Sequence, residues 1–157
     1  MYDRQLAINY AKNWWDKRNP AFYNFDKLGG DCTNFVSQCL VFGKIEMDVS
    51  PLGWYYYSLN NRAPAFTGVE QLFNYSVSNN KNVGVRCKLT TIDQLEIGDI
   101  IQLCQRKPVF NHCVLITKID GTPSLETIFV TCHTNDVYNK RLSDYFYTKI
   151  RFLKILN

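Results

Sequence analysis

The chain is expected to adopt an α+β fold, with helices first and an antiparallel sheet after them. Two features of the sequence lead there. In the first half, apolar residues recur at spacings of three and four, the period of a helix face. From Thr90 onward they gather into short β-branched runs divided by turn-forming residues, the pattern of strands joined by hairpins. Helices segregated by sequence from such a meander make a layered α+β arrangement. A length of 157 residues fits one domain over 1–157.

Asp3 to about Arg18 reads as an amphipathic helix with Leu6, Ala7, Tyr10, Ala11, Trp14 and Trp15 on one side, Asp3 as its cap and Pro20 beyond its end. An irregular link, NPAFYNFDKLGGD, leads to Gly29-Gly30-Asp31. The next helix begins at Cys32 in GDCTNFVSQCL. Cys32, Phe35, Val36, Cys39 and Leu40 form a stripe for one buried side, with Asp31 as N-cap and Gly43 as the stop. SPLGWYYYSLNNRAPAF reads as extended or looped. Thr67 and Glu70 form a T-x-x-E capping box for a short helix to about Val77. Strands are expected in DIIQLCQ from Asp99, HCVLITKI (112–119), ETIFVTCH (126–133) and the closing KIRFLKIL, with a short helix near Leu142 to Phe146.

Composition narrows the function. Apolar residues make up 46% and charged residues 20%, so the chain can bury a core. The net charge of +4 comes without the clustered Lys and Arg of a nucleic-acid surface, so no nucleic-acid partner is expected. No apolar run approaches a membrane span, and no membrane partner is expected. The N-terminus is charged throughout and lacks a secretory leader, which points inside the cell, or to a domain excised from a larger secreted protein. The six cysteines include no CxxC pair, so no structural zinc or other metal is expected, and those other than Cys32 read as buried free thiols.

Cys32 stands apart by position. A helix N-terminus offers partial positive charge and free N–H groups, which favour a thiolate and can hold an oxyanion. Asp31 opposes the first effect, so an imidazolium beside the sulfur is also needed. The chain has only two histidines. His112 opens one apolar strand and His133 closes the next, so a hairpin would bring both to the same end of the sheet. In that arrangement His112 is the base and His133 orients it through the other ring nitrogen, with Asn135 and Asp136 as rival third members. Core filling is the plainer role for a cysteine on an apolar stripe, and both roles stay open at this point.

GDCTNFVSQCL resembles the nucleophile helix of the putative amidase domain family of Gram-positive bacteria, which is related to the NlpC-type and CHAP peptidases of the papain-like superfamily. YDRQLAINYAKNWWDKRNPAFYNFD, the WYYYS stretch at 54–58, IGDIIQL, NHCVLIT and VTCHTND are similar to further family landmarks, so the resemblance spans most of the chain. It implies a papain-like fold of the NlpC/CHAP type, with N-terminal helices packed on an antiparallel β-sheet. It also implies Cys32 as nucleophile, His112 as base and His133 as the polar third member, with Asn135 as the alternative. The backbone of Cys32, with Tyr23 as a further candidate, would supply the oxyanion donors.

The expected activity is cysteine-dependent hydrolysis of an amide in a peptide or peptidoglycan stem, with no cofactor. Trp54 to Tyr57 are expected to divide between the core and the cleft. A non-catalytic binding module on the same fold and a thiol acyltransferase are the alternatives. The resemblance favours a cell-wall setting, which an excised domain would reconcile with the absent leader.

Overall fold

Residues 1–157 are all described by the computed structural model. Helix α1 spans Arg4–Trp14, and Asp3 caps it by accepting the Leu6 N–H, which fills one of the orphan donors at a helix start. It ends short of Arg18, and the Trp14 carbonyl accepts both the Lys17 N–H at 3.4 Å and His133 Nε2 at 2.7 Å. The histidine comes from the far half of the chain.

Helix α2 spans Cys32–Phe42 and is buried at every residue from Cys32 to Leu40. The one-sided stripe is therefore too narrow a description, since a helix covered all round is a core helix. Asn34 Oδ1 is buried there without a partner, while Gln38 and Ser37 are each bonded from another element. Tyr10 Oη donates to Gln38 Oε1 at 2.7 Å, and Trp54 Nε1 donates to Ser37 Oγ at 3.1 Å. Phe35, Val36, Cys39 and Leu40 are fully buried, and each large apolar side chain among them contributes about 1.5–3 kcal/mol.

The aromatic stretch forms a small hairpin, β1 (Tyr56–Ser58) with β2 (Asn61–Arg62), followed by a single turn, α3 (Pro64–Thr67), and then α4 (Val69–Ser78). The capping box does not form. Thr67 lies in α3, and Gly68 takes the cap position of α4 with no side-chain bond. Trp54 and Tyr56 are buried, while Tyr57 is exposed.

The main sheet contains β3 (Cys87–Thr90), β4 (Ile100–Cys104), β5 (His112–Ile119), β6 (Ile128–Cys132), β7 (Val137–Arg141) and β8 (Lys149–Ile155). Every pairing is antiparallel in the order β3-β8-β4-β5-β6-β7. Strands β3 and β7 escape the sequence pattern because their residues are largely polar and only partly buried. The Leu142 turn is a 3-10 helix, Leu142–Asp144.

Side chains alternate across the sheet, so it carries two apolar faces. Ile100, Cys113, Leu115 and Leu153 pack with Phe35, Val36 and Cys39 of α2. Ile101, Leu103, Val114, Ile116, Val130 and Cys132 pack with Leu142 on the other side. No helix is long and apolar enough to cross a membrane. The observed architecture is α+β, with helices and antiparallel sheets.

Candidate active site

The approach to α2 is shaped by glycine. Gly29 and Gly30 have φ of 88° and 99°, a region costly for other residues. A Cβ on Gly30 would lie 3.3 Å from Thr134 Oγ1, which also accepts the Asp31 N–H at 3.0 Å. The segment leaving β6 is thereby pinned against the mouth of α2.

Asp31 holds the N-cap position, but its carboxylate makes no capping bond. Oδ1 accepts from the Phe25 N–H and from Asn34 Nδ2, both at 2.9 Å. Oδ2 lies 2.5 Å from His133 Nδ1 and 3.6 Å from Arg18 Nε. Arg18 also bridges Asp26 and Asp136, which ties Asp136 into the surface around this network.

Cys32 is 6% exposed and packs in the same core cluster as Cys113. Burial pushes its thiol above the ordinary range. The nearby Cys113 amide, the Thr33 hydroxyl and the Thr33 amide pull it back down, and Asp31 adds to the rise. A thiolate poised at rest is therefore not what this site holds. The helix mouth is outweighed by desolvation, and no cation touches the sulfur.

His112 is 5% exposed and begins β5, one residue before Cys113, which packs in the same core cluster as Cys32. Its ring leans to the opposite face of the sheet from Cys113. Nε2 lies 3.4 Å from Cys132 Sγ, and the ring is 6.0 Å from that of Tyr145. Burial, helped by the charge of Lys140, pushes its pKa down to about 4. Nδ1 makes no hydrogen bond and is not among the buried orphan atoms, so it opens to the cleft that His112 lines. No hydrogen bond joins Cys32 to His112 in this resting arrangement.

His133 departs from its expected geometry. It lies at the same end of the sheet as His112 but on the α2 side, stacked on Phe35 at 4.0 Å. Its ring nitrogens go to Asp31 and to the Trp14 carbonyl, and neither reaches His112. Strand alternation explains this, because Cys132 and not His133 shares a sheet face with His112. Asn135 is an exposed, left-handed residue (φ 59°) at the rim of the cleft. Tyr23 has its N–H bonded to Tyr56 Oη and its carbonyl bonded by Asn34 Nδ2, which holds the residue against the first turn of α2.

The cleft beside His112 has a volume of about 580 Å³. Arg106, Lys107 and Lys140 line it opposite a single acid, Asp144, and none of these cations forms an ion pair. Trp54 to Tyr57 do not line it. Cys132, Tyr145 and Lys140 were not singled out by the sequence. The usable signal for Cys132 was its strand parity with His112, masked because it sits in an apolar run like any core cysteine. All six cysteines are free and buried. No group of three or more His, Cys, Asp or Glu is placed to hold a metal ion.

A family model described as "Putative amidase domain" matches residues 1–156. The chain is 34% identical over 126 residues to "Uncharacterized protein YhbB" of Bacillus subtilis (strain 168), across 76% of this chain and 38% of that protein. It thus spans well under half the length of that relative. No solved structure matches. The family description suggests amide hydrolysis, and with nearly the whole sequence covered, the chain belongs to the "Putative amidase domain" family.

Proposed function

We propose that residues 1–157 form one thiol amidase domain, papain-like in the NlpC/CHAP manner, in which Cys32 attacks an amide carbonyl and His112 carries the proton. The observation that supports it is that Cys32, first residue of α2, packs in one core cluster with Cys113, the neighbour of His112 at the start of β5. Thiol–base contacts in unliganded enzymes are commonly long and tighten when substrate binds.

Both groups rest neutral, so activation is by general base. As the sulfur forms its bond to the carbonyl carbon, the S–H proton passes to His112. The same proton then goes to the leaving amine as the C–N bond breaks, giving a thioester. Water repeats the cycle, releasing the acid and restoring the thiol. The developing oxyanion faces the Cys32 N–H, with Tyr23 as the further candidate. His133 takes no part in orienting the base; we place it with Asp31 as the support of the helix mouth.

The substrate is a peptide or peptidoglycan-stem amide. The unpaired Arg106, Lys107 and Lys140 suit one bearing a carboxylate close to the scissile bond. Cys132 is the thiol nearer the imidazole, but it is 0% exposed, burial pushes it up to about 12, and it lies on a strand without helix-end donors. It is the poorer nucleophile.

The test is hydrolysis of a panel of stem peptides and peptidoglycan fragments, with Cys32→Ala and Cys132→Ala compared under the same conditions. Loss of turnover in Cys32→Ala with an acyl-enzyme mass on wild-type Cys32 is expected. Undiminished turnover in Cys32→Ala would remove the thiol mechanism at that residue. A conjugate formed with an added amine would move the activity from hydrolase to acyltransferase.

A further inference from the structure

We propose that Cys132, backed by Tyr145, is the positioning residue of His112. On this proposal, His112 Nε2–H donates to Cys132 Sγ, and the Cys132 S–H points to Tyr145 Oη. The lone pair on Nδ1 is then left facing the cleft. The proposal rests on the role given to His112 above.

The geometry carries it. Cys132 Sγ lies 3.4 Å from His112 Nε2 and 3.6 Å from Tyr145 Oη, both within reach for sulfur. Tyr145 Oη makes no other hydrogen bond, so the phenol is available to receive the thiol proton. Cys132 follows Val130 on the face of β6 that packs with Val114, the same face from which His112 leans. The other imidazole cannot serve, since both its nitrogens are committed.

A base must present a lone pair to the proton it takes, and a neutral imidazole has one. If Cys132 donated to Nε2, the ring proton would sit on Nδ1 and the cleft would face a donor. Tyr145 decides between the two tautomers by drawing the S–H away from the ring. When His112 gains the second proton, Nε2–H remains a donor to the sulfur and Cys132 stays neutral. The thiol therefore orients the ring and takes no proton from it, as a third member does. Sulfur is a weak acceptor, so an amide oxygen at the same place would perform the task at least as well.

The experiment reads the tautomer directly and needs no substrate. Side-chain ¹⁵N spectra of His112 in the full chain are recorded at neutral pH for wild type, Cys132→Val, Cys132→Asn and Tyr145→Phe, with thermal unfolding as the folding control. Wild type is expected to carry its proton on Nε2. Cys132→Val is expected to populate the Nδ1–H form, Tyr145→Phe to shift the same way, and Cys132→Asn to restore Nε2–H. In amide hydrolysis, Cys132→Val should lower kcat about 3- to 10-fold at unchanged KM, the worth of one neutral hydrogen bond, and Cys132→Asn should recover it.

A wild-type proton on Nδ1, or a tautomer indifferent to both Cys132→Val and Tyr145→Phe, overturns the proposal. Should Cys132→Val fail to fold, Tyr145→Phe, altered at a partly buried position, decides alone. A normal tautomer response together with full turnover in Cys32→Ala would instead overturn the thiol mechanism, so the two failures are told apart.

Discussion

His133 Nδ1 sits 2.5 Å from Asp31 Oδ2, and both side chains are 1% exposed. The residue next to Cys32 is therefore fixed by a histidine that arrives from the end of β6. The Trp14 carbonyl can only accept, so Nε2 carries a proton and the ring cannot rotate without losing a bond at each nitrogen. Helix α1, the mouth of α2 and the end of β6 are joined through this one imidazole, and Thr134 adds a second tie to the Asp31 amide.

Removing either partner leaves the other buried without its bond, at a cost of about 1–3 kcal/mol and more for a charged group. Asp31→Ala and His133→Ala are each expected to lower the urea midpoint accordingly. The double variant should lose clearly less than the sum of the two. Strictly additive losses in a double-mutant cycle would mean that the two side chains are not coupled.

The depressed pKa of His112 makes a prediction about acid stability. Its pKa falls from 6.5 to about 4 because the buried ring resists charging and Lys140 repels a second cation. Between those values the unfolded chain binds a proton that the folded one does not, so stability rises with pH across that window and falls on acidification from 6.5 toward 4. The loss attributable to this group is about 3 kcal/mol at most. His112→Gln has no such proton to gain. Its stability should vary less between pH 6.5 and 4, as read from urea unfolding at several pH values. Parallel curves for the two proteins would place the ring in solvent.

The cleft cations predict a preference in substrate. Lys140→Gln and Arg106→Gln should each raise KM about 5-fold for an amide substrate bearing a carboxylate, a loss in the range of a screened charge pair. The carboxamide analogue should be unaffected, and added salt should shrink the difference. Equal KM changes for both analogues would show that the cleft does not read charge.

Much of this was legible in the sequence, and the rest was hidden for physical reasons. The extent of β5, His112–Ile119, follows from the apolar run Cys113–Ile116 ahead of the Asp120-Gly121 turn, and the start of α2 follows from glycine before a helical stripe. Strand β7, VYNKR, has no apolar alternation to announce it, because the edge strand is only half covered. Two histidines at one end of a hairpin were predictable from topology. Their divergence was a matter of one residue of parity, since a single step along β6 changes the sheet face. Parity puts Cys132 beside His112 and sends His133 to Asp31. The resting state of the thiol was beyond pattern reading, because a helix mouth favours the thiolate while complete burial opposes it, and only the packing decides which dominates.

That balance yields the last prediction, on thiol labelling. Burial raises Cys32, and raises Cys39 further because Cys39 is sealed inside the helix packing. Peptide-resolved alkylation of the native chain should therefore find Cys32 faster than Cys39 at every pH. Its profile should have a midpoint above the free-thiol value of about 8.5 rather than below it. At neutral pH, where the thiol is protonated, the advantage of Cys32 depends on proton removal by His112, so His112→Ala should narrow the gap between the two cysteines. A Cys32 midpoint well below 8.5 would show a thiolate–imidazolium pair already formed at rest. Equal labelling of Cys32 and Cys39 would mean that the sulfur at the helix mouth is as inaccessible as one in the core, and the nucleophile would then have to be sought elsewhere.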